Sequence, residues 1–291
     1  MSAEPFAYDR AAHEEAVEVW RRARLTRLTT PDGWLSLVAR VPLDEGTSRV
    51  GGAEDCQVAL PADRVPAGSD VGTLWREGRA VTFTPAAGVN VELRGRDGAR
   101  PLAPGVAVPV RTDGDGGAPD RLALGTLTFE VVERPDGMIV RARDPESETR
   151  REFAGIQHFP VDPKWRVVAR FERYEPPKEI DLGYEAGASE VHLSPGAAVF
   201  EIDGVACRLD PVFDAGNKRL YLVFWDPTGR DSTYGAGRFL YAPLPEGDRV
   251  LLDFNQAFSP PCAFTPYAAC PLAPAQNRLR VRVEAGEKSP H

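Results

Sequence analysis

Lysine, histidine and cysteine each occur four times in this chain of 291 residues, and methionine twice. No run of basic residues occurs, and the formal net charge is −8. An acidic chain without a basic stretch cannot hold nucleic acid or an anionic membrane through its overall field, so neither partner is expected. No segment has the unbroken apolar length, roughly 20 residues, of a membrane-spanning helix. The start, MSAEPFAYDRAAHEEAVEVW, lacks the basic opening and apolar core of a secretory signal, and a cytoplasmic location is expected.

The scarcity of cysteine and histidine also limits metal chemistry. No CxxC is present, and His13, His158, His192 and His291 show no ligand spacing. Cys262 and Cys270 have seven residues between them, whereas paired zinc ligands are usually separated by about two to four. Neither a metal nor a cofactor is expected. Reduced thiols suit the inferred compartment. Cys56 and Cys207 lie in strand-like text, CQVAL and VACRL, and read as small core residues.

What is present is mainly β. One N-terminal helix stands apart: Ala12, Ala16, Val19, Trp20 and Ala23 recur at three- and four-residue intervals as an apolar stripe. Asp9 is placed to cap it, and Glu18 and Arg22 are placed to pair on its surface. After Thr30 short apolar runs alternate with Gly, Pro and Asp, the rhythm of a sandwich or barrel. ERPDGMIVRARD reads as a hairpin with Pro-Asp-Gly in its turn. WRVVARFERY reads as a strand that Pro176-Pro177 ends. The expected division is residues 1–160, helix plus β domain, and residues 161–291, a second β domain with a Cys- and Pro-rich lid.

The polar residues converge in the second half. If RLYLVFWD, RFLYAPL and RVLLDF form an antiparallel meander, Asp226, Arg238, Asp253 and Asn255 share one sheet end. Asp253 and Asn255 then share a face if the strand stays regular. The intervening loop adds Thr228, Thr233 and Tyr234. This set is the candidate site for a small anionic ligand. Arg238 is its guanidinium fork, Tyr234 and Asn255 are its directional hydrogen bonders, and Asp226 and Asp253 orient them. The same composition equally describes a satisfied polar network pinning loops. A hydrolase reading would use Asp226 or Asp253 as general base, or Cys262 as nucleophile. The segment from Asp253 to Leu279 carries Pro260, Pro261, Pro266, Pro271 and Pro274, which stiffen an irregular path and make it a plug over that site.

Several residue groups also carry a resemblance: Asp226 with Thr228, Thr233-Tyr234, Gly237-Arg238, Asp253-Phe254-Asn255, Cys262-Ala263-Phe264, Cys270-Pro271-Leu272, Asn277-Arg278-Leu279 and Ala285-Gly286-Glu287-Lys288. Together they resemble the domain-of-unknown-function 1684 family of bacteria and archaea, most densely from about residue 200 to 288. The resemblance implies a two-part β-rich body and no established activity. The first half is weakly similar to a forkhead-associated β-sandwich through SRVGGAEDCQVALP, which implies an interaction module with Arg49 as its basic residue. Ser69 is followed by Asp70, Val71 and Gly72, so the Ser–His pair of phosphothreonine readers is missing.

Overall fold

The computed structural model describes residues 6, 8–65, 69–184 and 187–290; His291 lies outside them. The chain is mainly β, with one long helix, Arg10–Thr29. Contacts divide it into two units: Leu28–Phe153, and Ala154–His291 together with Met1–Arg27. The helix, read from chain order as part of the first half, therefore belongs by its contacts to the second. Among the described residues no helix is long and apolar enough to cross a membrane.

The unit Leu28–Phe153 is built from two sheets. One has six strands, in the order Leu37–Pro42, Gly137–Arg143, Leu127–Arg134, Arg121–Leu124, Glu92–Gly95, Gly98–Pro101. The other has five, in the order Val58–Ala59, Gly46–Gly51, Asp70–Glu77, Ala80–Pro85, Val108–Pro109. Apolar side chains from both share one core, where Phe83 and Phe129 meet edge to face with centroids 5.6 Å apart. The hairpin forms where Pro-Asp-Gly signals it, with Arg134 opposite Gly137.

In the other unit, a four-stranded sheet has the order Val205–Leu209, Ser189–Ile202, Arg166–Gly183, Arg249–Asp253. A three-stranded sheet has the order Val212–Asp214, Arg219–Phe224, Arg238–Ala242. Phe224 and Leu240 from the second sheet pack with Phe200, Leu252 and Phe254 in one core. Each fully buried Phe or Leu side chain contributes about 2 kcal/mol of transfer free energy.

Three local expectations change. Arg166–Gly183 continues past Pro176-Pro177. The register slips between Arg173 and Lys178, so the prolines, which lack a ladder N–H, occupy a bulge instead of ending the strand. Arg249–Asp253 pairs with Arg166–Gly183 and not with Arg238–Ala242, so the up-down-up meander is not formed. The text NRLRVRVEAG, which alternates like a strand, is an irregular tail after the short turn Ala275–Asn277. A single parallel bridge joins Arg278 to Trp225, and beyond it the Val283 and Ala285 backbone groups bond to the buried Asp226 and Arg238 side chains.

The helix buries a face rotated by one residue from the expected stripe. His13, Val17 and Arg24 are buried, while Val19 is 50% exposed. Alanines offer too little area to decide which face docks. His13 and Arg24 go inside because partners wait for them there: Asp253 for His13, and Glu287 with the Ser259 carbonyl for Arg24. Asp9 caps the helix by accepting the Ala12 N–H at 3.0 Å. Arg21, not Arg22, bonds Glu18, at 2.8 Å.

Candidate functional site

The seven residues read as one site fall into separate groups. The first is sealed. Arg238 Nη2 donates to Asp226 Oδ1 at 2.9 Å and to the Val283 carbonyl at 2.8 Å, and Nη1 donates to the Ala285 carbonyl. Asp226 Oδ2 accepts the Thr228 hydroxyl at 2.7 Å and the Val283 N–H at 2.8 Å. Thr228 and Thr233 hydroxyls meet at 2.8 Å. Asp226, Thr228, Thr233 and Arg238 are all buried, Arg238 at 1% exposure. Burial pulls the Arg238 guanidinium below its ordinary value, and Asp226 opposes that shift. The fork read as open to an anion is therefore filled by the chain's own oxygens, and the network fastens the C-terminal tail to the sheet end. Gly286, with φ of 75°, allows the tail to turn where a Cβ would meet the Ala257 carbonyl oxygen. Tyr234 lies at the lid, its hydroxyl donating to the Cys262 carbonyl at 3.3 Å.

Asp253 and Asn255 form the second group, and among the described residues none of their hydrogen bonds reaches Asp226 or Arg238. The strand ends at Asp253, and Phe254–Gln256 is a short 3-10 turn capped by the Asp253 side chain, so the two residues do not keep strand parity. Asn255 is spent on backbone: Oδ1 accepts the Asp162 N–H and Nδ2 donates to the Asp162 carbonyl, each at 3.0 Å. Asn277 does the same for Asp210, accepting its N–H at 2.8 Å and donating to its carbonyl at 3.0 Å. Both amides act as substitute strand partners.

Asp253 faces a cleft of about 370 Å³ that sequence reasoning did not find. His13 Nε2 lies 2.8 Å from Asp253 Oδ2, Gln256 Nε2 donates to the same oxygen at 3.2 Å, and Asn255 Nδ2 donates to Oδ1 at 2.9 Å. Tyr8, Arg166 and Tyr241 complete the wall that matters here. The Arg166 guanidinium lies over the Tyr8 ring, 5.6 Å from its centroid, and makes no ion pair among the described residues. It stands beside a pair, His13 and Asp253, whose side chains are only 7% and 12% exposed. The sequence carried no sign of this. His13 sits on a helix whose periodicity placed it outside, and Arg166 opens a strand whose partner was assigned elsewhere.

The Cys- and Pro-rich segment makes 3-10 turns at Pro261–Ala263 and Ala275–Asn277. Cys262 and Cys270 lie together: the Cys262 N–H donates to Cys270 Sγ at 3.3 Å. Among the described residues no three His, Cys, Asp or Glu side chains gather as a metal site would require. In the other unit, Arg49 is held by Asp55 and, at 2.6 Å, by Asp70. The acid that follows Ser69 thus occupies the basic residue in place of a phosphate.

The architecture is that of a β-rich protein in which buried ion pairs lock a helix and an irregular tail onto packed sheets. Residues 151–288 match the family described as "Protein of unknown function (DUF1684)", and the chain belongs to that family. The expected resemblance extended over most of the chain; the match lies within its second half. The solution NMR structure of an uncharacterised protein of Haloarcula marismortui is 33% identical, over 48% of this chain and 78% of its own, with a TM-score of 0.41. No curated protein matches.

Proposed function

We propose that this protein binds a small anionic ligand in the cleft between the helix and the sheet end, with Arg166 as the anion's partner. The observation that carries the reading is an arginine that makes no ion pair among the described residues, beside the largely buried His13–Asp253 pair, in a cleft of about 370 Å³. A guanidinium is pre-shaped for a carboxylate or phosphate, and one left without an acid is available to a ligand. Asp9 and Asp253 also line the cleft, and their charge disfavours a polyanion. A monoanionic carboxylate fits best. Asp253 orients His13 and Gln256, Tyr8 supports the guanidinium, and Tyr241 forms a wall. Of the residues first read as ligand-binding, Asp253 keeps that role; Asp226, Thr228, Thr233 and Arg238 support the sheet end.

The test is isothermal titration of small carboxylates and phosphates against wild type and Arg166→Ala. A small carboxylate binds wild type, and Arg166→Ala weakens it about tenfold or more, the scale of a hydrogen bond to a charged group. No hit across the panel, or hits that survive Arg166→Ala, would overturn the reading.

One observation favours a catalytic version of the same site. With Nε2–H given to Asp253, His13 keeps its Nδ1 lone pair, a buried atom with no hydrogen-bond partner among the described residues, which a substrate would reach only once the ring moves. Such a pair is suited to general-base hydrolysis. His13→Gln would then abolish turnover of an ester panel while anion binding persists.

A further inference from the structure

A second cleft in the same unit, of about 450 Å³, has the opposite chemistry. Tyr184, Phe213, Tyr221 and Tyr241 line it together with Glu190, Asp214 and His192, and among the described residues no lysine or arginine is in its lining. The residues come from the far ends of the paired strands Arg166–Gly183 and Ser189–Ile202 and from all three strands of the three-stranded sheet, Val212–Asp214, Arg219–Phe224 and Arg238–Ala242.

The rings are clustered. Tyr221 has its centroid 5.2 Å from Tyr241, its partner across the strands, and 5.2 Å from Phe239. Phe213 is 46% exposed, an aromatic ring left facing water at the rim. The carboxylates are held in place. Asn217 donates to Asp214 from its N–H at 3.1 Å and its side chain at 2.6 Å, and this keeps the Asp214 carboxyl below its ordinary value. The Tyr184 hydroxyl donates to Glu190 at 3.3 Å, and His192 Nε2 lies 3.4 Å from the same carboxylate. Burial pushes the Tyr221 hydroxyl well above its ordinary value, so that ring stays neutral. The nearest cations acting on Tyr241, Arg219 and Arg27, stand outside the lining.

Three ligand classes can be weighed against this wall. An anion meets two carboxylates, and the one basic ring in the lining, His192, already stands beside Glu190. A neutral apolar group uses the rings and strands the carboxylates. A cation uses both, because aromatic faces carry negative quadrupole charge and the acids neutralise it at longer range. Among cations, a methylated ammonium loses least hydration on entering an aromatic box. We propose that this cleft binds a quaternary or methylated ammonium group, held among Tyr184, Phe213, Tyr221 and Tyr241 and balanced by Glu190 and Asp214.

The site stands independently of the anion cleft, although Tyr241 lines both and is therefore left intact in the test. Choline and tetramethylammonium are titrated calorimetrically into the full chain, with 3,3-dimethylbutan-1-ol as the uncharged counterpart of choline. The cations bind in the millimolar range or tighter, and the alcohol binds at least about fivefold more weakly. Glu190→Gln and Phe213→Ala, both at exposed positions that leave the fold unchanged by circular dichroism, each weaken the cations about three- to tenfold. Arg166→Ala leaves cation binding as it is, so failure of the anion reading does not touch this one. Three results would each overturn the proposal: no cation binding up to about 50 mM, equal binding of the alcohol, or wild-type affinity in both variants.

Discussion

His13 and Asp253, 240 residues apart in the chain, meet at 2.8 Å and fix the N-terminal helix to the end of a C-terminal strand. Asp253 accepts from His13, Gln256 and Asn255 at once, so a single carboxylate ties together a helix, a 3-10 turn and a strand end. The cleft of about 370 Å³ lies beside this anchor, with His13, Asp253 and Gln256 in its lining.

Replacing that carboxylate should loosen the anchor. Asp253→Ala leaves the His13 and Asn255 donors without an acceptor, at a cost of about 2 kcal/mol. Urea denaturation would register this as a lower midpoint. His13→Ala in the Asp253→Ala background should add less than it does alone, because the two share one interaction. Full additivity would show that the pair is not coupled.

The Arg238–Asp226 pair should respond more severely. Arg238→Leu removes the guanidinium and leaves Asp226 as an uncompensated buried charge, with a loss of about 3–5 kcal/mol. The double change Arg238→Leu with Asp226→Asn should recover part of it. Equilibrium unfolding of the three variants gives the comparison, and an Arg238→Leu protein as stable as wild type would contradict the sealed network described here.

His158 makes stability depend on acidity. Burial, with Arg21 second, lowers its folded value from 6.5 to about 4. The unfolded chain therefore binds more protons between those values, and the contribution is complete above about pH 6.5 and lost as pH falls toward about pH 4. Because the ring is only half-buried, solvent screening reduces the effect to about 1–2 kcal/mol. In His158→Asn the difference in unfolding free energy between about pH 7 and about pH 4.5 should shrink by that amount. An unchanged difference would mean His158 titrates alike folded and unfolded.

The sequence made the strands of the Leu28–Phe153 unit legible because each is a short alternating run bounded by turn residues, and its hairpin needs only local information. Around the candidate site local information was not enough. The three runs ending in Asp226, Arg238 and Asp253 look like consecutive strands. Yet the third finds a better partner in Arg166–Gly183, whose Val167 sits opposite Leu252. That choice left Arg238 with Asp226 and sent Asp253 to His13. NRLRVRVEAG alternates like a strand, but Asp226 takes its Val283 N–H and Arg238 takes its Val283 and Ala285 carbonyls, and no ladder forms.

By itself the sequence determined the β class, the position of the single long helix and its Asp9 cap, and the family to which residues 151–288 belong. Each of these depends on residue order within a few turns, or on a motif read in line. Only the tertiary structure decided which face of the helix is buried, which strands pair, and which arginine makes no ion pair among the described residues. Buried charges settle on whichever opposite charge the packing brings within reach, and that reach spans the whole chain.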